Sequence, residues 1–126
     1  MVMVGPLKLK AQLFCGDEIA MGPGKADLLE AIDKHGSISA AGRALGMSYR
    51  RTWLLVDTMN RCWREPLVEA VAGGAQGGGA RLSPLGRQVV QRFREIERRM
   101  TEAVEGDPLA TLLEPMRAAP KPSRQA

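Results

Sequence analysis

Only two cysteines, Cys15 and Cys62, occur in 126 residues, and His35 is the lone histidine. Two thiols so far apart in the chain do not make the disulfide framework of a small secreted domain. With a single imidazole they do not supply the ligand set of a zinc site either. Both are expected to be buried free thiols. Long hydrophobic runs are missing as well: Met1 to Phe14 is interrupted by Pro6, Lys8 and Lys10. The segment therefore has neither the continuous apolar stretch of a signal peptide nor the length of a membrane span. The expected setting is cytoplasmic, with no membrane partner. Paired carboxylates, a metal cluster and a nucleophile beside a base are also lacking. Gly73 to Gly79 is glycine-rich, but the lysine and hydroxyl residue that complete a phosphate-binding P-loop do not follow it. No catalytic residue, metal or cofactor is expected, and the chain does not read as an enzyme.

What is present is one ordinary core and a localised charge. A chain of 126 residues with 44% hydrophobic content buries a single core. The expected organisation is a domain over residues 1–106 and a short, partly disordered tail over 107–126. The net charge of +4 is modest, but Gly36 to Arg99 holds eleven arginines against five acidic residues, a local balance of +6. Charge concentrated in one region suits a polyanion better than uniform basicity does.

Leu7, Leu9, Ala11 and Leu13 alternate with Lys8, Lys10 and Gln12, the period of a half-exposed strand, and Glu18 to Met21 pairs back across Gly16-Asp17 as an N-terminal β-hairpin. Leu28, Leu29 and Ile32 carry helical spacing from about Lys25 to His35, with Gly36 where a left-handed cap falls. Ser37 and Ser39 are both candidate N-caps for a second helix through Ala40 to Leu45. Its small residues let another helix backbone approach closely. Gly46 supplies a turn and Ser48 caps a third helix, whose inward face is Thr52, Val56 and Met59.

Two helices joined by a tight turn, with arginines opening the second, are how a DNA-reading helix-turn-helix is written. Ser48, Tyr49, Arg50 and Arg51 stand at the end that enters the major groove in such docking. Arginine donates two parallel hydrogen bonds to guanine, while serine and tyrosine reach phosphates. For Trp53, Leu54 and Leu55, core or subunit packing is the expected role. Glu65-Pro66 ends the third helix, Leu67 to Ala72 reads as a strand, and Ala80 to Leu82 returns as its partner. The backbone N–H groups of this glycine-rich tip, Gly77 and Gly78 among them, and the adjacent Arg81 are placed to lie against phosphates or enter a minor groove. Ser83-Pro84 opens a long helix running to about Glu105. Val89, Phe93, Ile96, Met100 and Ala103 form a narrow seam along it, read as a dimer contact because the other faces carry Arg87, Arg92, Arg94, Arg98 and Arg99. A short helix is expected at Leu109 to Glu114.

The segments Gly36-Ser-Ile-Ser-Ala-Ala, Ser48-Tyr-Arg-Arg-Thr-Trp, Met59-Asn, Glu65-Pro-Leu-Val-Glu, the glycine-rich tip and Ala80-Arg-Leu-Ser-Pro-Leu-Gly resemble the N-terminal domain of the ModE-type molybdate-responsive transcriptional regulators, itself similar to the LysR-type winged helix-turn-helix. The resemblance spans Leu7 to Glu105. It implies a mainly α fold with small β, a winged helix-turn-helix with a long C-terminal dimerisation helix. It also implies a homodimer on double-stranded DNA, with Ser37, Ser39, Ser48, Tyr49, Arg50, Arg51, Gly77, Gly78 and Arg81 at the interface and Val89, Phe93, Ile96, Met100 and Ala103 between subunits.

Two departures shape the expectation. The family appends molybdate-binding domains, and the tail to Ala126 is too short to form them, so molybdate binding by this chain is not expected. The family wing carries a threonine before and a lysine within its glycines, where this chain has Ala72, Ala75 and Gln76; wing contact with phosphates should be weaker. Alternatives to a sequence-specific regulator are a winged-helix protein-interaction module and a small oxyanion-binding protein.

Overall fold

The computed structural model describes residues 1–74 and 77–124. Two hairpins open the chain. β1 (Val2–Val4) pairs antiparallel with β2 (Leu7–Leu9) around Gly5, whose φ of 57° permits the turn. β3 (Leu13–Cys15) pairs with β4 (Glu18–Met21) around Gly16 at φ 59°. The single strand expected from Leu7 to Leu13 is thus two strands in different sheets. Alternation correctly marks Leu7 and Leu9 as half-buried and Lys8 as exposed. It carries no information about pairing, and Gly5-Pro6 turns the chain so that Val2 to Val4 becomes their partner.

α1 (Pro23–His35) starts two residues before the expected Lys25, because Pro23 occupies its first turn, where no N–H is needed. It ends at Gly36, left-handed at φ 74°, whose N–H donates to the Ile32 carbonyl at 2.8 Å. α2 (Ile38–Ala44) and α3 (Tyr49–Cys62) follow, joined across Gly46 at φ 70°. β5 (Val68–Gly74) and β6 (Gly77–Leu82) form the third hairpin, with Val68 opposite Leu82 and Ala70 opposite Ala80. α4 (Pro84–Val104) opens on Ser83, whose Oγ accepts from the Gly86 N–H at 3.0 Å and donates to the Pro66 carbonyl at 2.7 Å. α5 (Asp107–Leu113) buries none of its residues.

The fold is therefore mixed, five helices with three two-stranded antiparallel sheets among the described residues, an arrangement compatible with a winged helix. Met21, Leu28, Leu29, Ile32, Met59 and Leu67 are fully buried and join β4, α1, α3 and the approach to β5 in one core. Each such side chain contributes about 1.5–3 kcal/mol relative to its exposed state. Val89 and Phe93 of α4 belong to the same core, at 8% and 2% exposure. Ile96 is 44% exposed, Met100 is half-buried and Ala103 is exposed. The seam along α4 therefore divides, its first half taken up by the domain itself.

The arginines of α4 are not the free solvated faces the sequence suggests. Arg87 pairs with Asp33 at 2.9 Å, while Arg94 bridges Asp27 and Glu30 of α1 and Glu97 of its own helix. Arg92, Arg98 and Arg99 all lie against Glu95. Hydrogen bonds to Glu30, Glu97 and Asp27 outweigh partial burial and raise the pKa of Arg94. Glu97 is nearly buried and accepts from Arg94 and from the Met1 amino group at 2.7 Å. No described helix is long and apolar enough to cross a membrane.

Candidate nucleic-acid interface

The junction of α2 and α3 is built by two serines. Ser37 Oγ accepts from the Ala40 N–H at 2.9 Å and caps α2. Ser39, the other candidate cap, lies inside that helix, half-buried beside Ser37, Trp53, Gly79 and Ala80. Ser48 Oγ accepts from the Arg51 N–H at 3.1 Å and caps α3. Between the caps, Met47 N–H donates to the Gly42 carbonyl at 2.9 Å, holding the turn closed. The small residues of α2 have the consequence their size predicts: a carbon added at Gly42 would lie 2.2 Å from Thr52 Oγ1. Thr52 is wholly buried and donates to the Ser48 carbonyl at 2.7 Å, so the two helices touch through backbone on one side and a locked threonine on the other.

Thr52, Val56 and Met59 face inward as their spacing predicts. Successive helical residues turn by about 100°, which sends the first turn of α3 in three directions. Tyr49 is 69% exposed and leans on Trp53, ring centroids 6.0 Å apart. Arg50 stands on the outward line with Leu54, opposite the buried face, and Arg51 turns toward α1. Trp53 and Leu54 are exposed rather than packed in the core, whereas Leu55 packs partly against it. The reason is rotational, since burying Thr52 and Val56 carries positions 53 and 54 away from the core.

Arg43, Arg50 and Arg51 make no ion pair among the described residues, and α3 has no acidic residue in its first turn. The positive end of its dipole is thus left unneutralised beside two free guanidinium groups. Asp57 and Glu18 are engaged by Arg61, and Asp27, Glu30 and Asp33 by the arginines of α4, so these carboxylates do not offset the charge at this end.

β5 and β6 stand beside this surface. Ala80 N–H donates to the Gly36 carbonyl at 2.8 Å, and Gly79 passes so close that a Cβ there would meet that oxygen at 2.6 Å. Arg81 is exposed, its Nε donating to Glu69 at 3.2 Å across the hairpin. Gly77 pairs with Gly74 and Gly78 continues β6; Ala75 and Gln76, the departures noted at the tip, lie outside the described residues.

One organising residue, quoted in the Met59-Asn segment, has no role assigned to it by the sequence. Asn60 Oδ1 accepts from the Leu67 and Val68 N–H groups at 2.9 and 3.1 Å, and its Nδ2 donates to the Val68 carbonyl at 3.3 Å. It fastens the hairpin to the end of α3 and so sets their relative angle. Its signal was an asparagine beside the last inward residue, Met59. The thiols depart from expectation too: Cys15 is exposed and Cys62 only half-buried, at the adjoining ends of β3 and α3. Burial and a hydrogen bond with Cys15 push the Cys62 thiol pKa up.

No family model matches the chain. Over 78 residues it is 45% identical to the molybdenum transport protein ModE of Azotobacter vinelandii, covering 62% of this chain and 29% of that protein. It is 40% identical over 84 residues to the molybdenum-pterin-binding protein MopA of Rhodobacter capsulatus, covering 67% and 32%. With the DNA-binding transcriptional dual regulator ModE of Escherichia coli K12 it shares 33% identity over 113 residues, covering 85% and 41%. The chain spans about a third of the length of the curated relatives it matches.

Proposed function

We propose, from the premise that this chain is a homologue of the ModE-type transcriptional regulators, that it binds double-stranded DNA sequence-specifically as a homodimer and regulates transcription in molybdenum metabolism. The observation that carries this reading is the opening of α3: a serine-capped helix end with Tyr49 exposed and Arg50 and Arg51 free of acidic partners among the described residues. That end enters the major groove, with Arg50 on the outward line to meet a base edge and Leu54 behind it, where an apolar side chain suits a thymine methyl. Ser37 and Ser39 lie against one backbone strand. The β5–β6 hairpin, with Gly77, Gly78 and Arg81, lies along the backbone or a neighbouring minor groove, Arg81 sharing its charge with Glu69.

Residues 1–106 are the binding domain and 107–126 an appended tail. The dimer contact uses the half of the α4 seam that the core leaves open, Ile96, Met100 and Ala103, with Val89 and Phe93 supporting it from beneath. In favour of this surface is an apolar groove of about 220 Å³ lined by Leu13, Trp63, Leu85, Val89, Phe93 and Ile96.

Selection of bound duplexes from a random pool tests the reading, with oligomeric state measured by sedimentation. A single consensus with two half-sites is expected. Arg50→Ala should lose about 1–3 kcal/mol and relax preference at one or two positions. No enrichment over competitor DNA would sink the proposal. Binding of a protein partner unaffected by Arg50→Ala and Arg51→Ala would favour the interaction-module alternative.

A further inference from the structure

A cleft of about 300 Å³ opens on the side of α3 away from the hairpin wing, between α1, the β2–β3 connection and the helix-turn-helix turn. Lys10, Lys25 and Arg51 line it, and no acidic side chain does among the described residues. None of the three makes an ion pair or side-chain hydrogen bond among the described residues. Glu18, a carboxylate that acts on Lys25, is engaged by Arg61 at 3.8 Å. Half-buried Lys25 has its ammonium pKa lowered, chiefly by burial; Cys62 opposes this, the like charge of Arg51 adds to it by less, and Glu18 opposes it by less again. Among the described residues these cations are thus held together without a paired counter-ion, an arrangement that a tetrahedral oxyanion would relieve.

Arg51 belongs both to this cleft and to the first turn of α3, so the cleft mouth adjoins the surface proposed to face DNA. We infer that Lys10, Lys25 and Arg51 form a binding site for a phosphate of the DNA backbone, flanking the bases read by Arg50. The inference rests on the DNA-binding reading and deepens it: Arg51 is a phosphate ligand and not a base reader, and the footprint extends to the α1 side as well as to the wing. A backbone phosphate is favoured over a free anion because the cleft is open to solvent, with Lys10 exposed. In so wet a site one small anion gains little, whereas a polyanion held elsewhere along α3 delivers its phosphate at high local concentration.

The test is the salt dependence of affinity for a selected duplex, compared for the unaltered protein, Lys10→Gln, Lys25→Gln, Lys25→Arg and Arg50→Ala. Each Lys→Gln change should lower the slope of log affinity against log salt by about 0.9 per protomer, which over a fourfold rise in salt amounts to about 3.5-fold in affinity. The loss should be equal on all duplex sequences, and Lys25→Arg should restore it. Lys10→Gln keeps the test valid should Lys25→Gln unfold the protein. Unchanged slopes for both lysine variants, with sequence-specific binding intact, would overturn the phosphate site and leave the DNA-binding reading standing. Absence of specific binding by the unaltered protein would instead remove that reading. Inorganic phosphate titrated into the DNA-free protein and followed by amide NMR should give no saturable shifts around Lys25. A saturable site there would reassign the cleft to a free anion and overturn the inference.

Discussion

Replacing Gly42 by alanine probes the contact on which the helix-turn-helix geometry depends. The added carbon would lie 2.2 Å from Thr52 Oγ1, 2.9 Å from Cγ2 and 3.0 Å from Cβ. Thr52 is fully buried and tied to the Ser48 carbonyl, and rotating its side chain would not move its Cβ. α2 and α3 must therefore separate, and overpacking of this kind costs about 1–3 kcal/mol. Alanine in place of a helical glycine returns about 0.5–1 kcal/mol through the unfolded chain and helix propensity. The expected net loss is about 1–2 kcal/mol, a fall in Tm of roughly 5–10 °C for a domain of this size, measured by circular dichroism. Combining Gly42→Ala with Thr52→Ala removes the obstructing Oγ1 and Cγ2. The pair should then show a favourable coupling of at least about 0.5 kcal/mol relative to the two single changes. An unaltered or raised Tm for Gly42→Ala would refute the argument that close approach requires glycine here.

Asn60→Ala leaves the Leu67 and Val68 N–H groups without their acceptor, and at about 1–3 kcal/mol per unsatisfied group it should lose about 2–6 kcal/mol in urea unfolding; a loss under about 0.5 kcal/mol would show that water replaces the side chain. Glu97 gives a pH signature. Burial pushes its pKa up, but hydrogen bonds from the Met1 amino group and Arg94 prevail and hold it below the usual carboxylate value. A depressed acid stabilises the folded state above the unfolded pKa and loses that contribution as pH falls through the folded one. The stability deficit of Glu97→Gln should accordingly be full at neutral pH and shrink below about pH 4; a deficit independent of pH would contradict it.

The legibility of this chain follows the range of the interactions concerned. Capping is local, so Ser48 and Ser83 mark two helix starts from sequence alone and Ser37 and Ser39 narrow a third to two positions, and the four-three spacing of Thr52, Val56 and Met59 reports burial because helical geometry enforces it. The glycine and alanines of α2 told of a close helix approach for the same reason. Pairings between distant residues left no such trace. Alternation through Leu7 to Leu13 looked like one strand because nothing in it names Val2 to Val4 as a partner. Arg87 and Arg94 looked free because Asp27, Glu30 and Asp33 lie more than fifty residues earlier, whereas the pairs of Arg92, Arg98 and Arg99 with Glu95 were within reach of helical spacing and were overlooked. The basic cleft was invisible because Lys10, Lys25 and Arg51 meet only in the folded chain. Even the reading end was only half legible: the sequence placed Tyr49, Arg50 and Arg51 together, and helical rotation separates them into three directions.

The central claim is that the first turn of α3 occupies a major groove. Methylation interference on a selected duplex tests it directly, because dimethyl sulfate blocks guanine N7, a major-groove acceptor. The account predicts interference at guanines in two half-sites one helical turn, about 10–10.5 base pairs, or a multiple of that apart, with the signal at one guanine per half-site abolished for Arg50→Ala. Strong binding with no interference at guanine N7, or interference confined to adenine N3 in the minor groove, would contradict it.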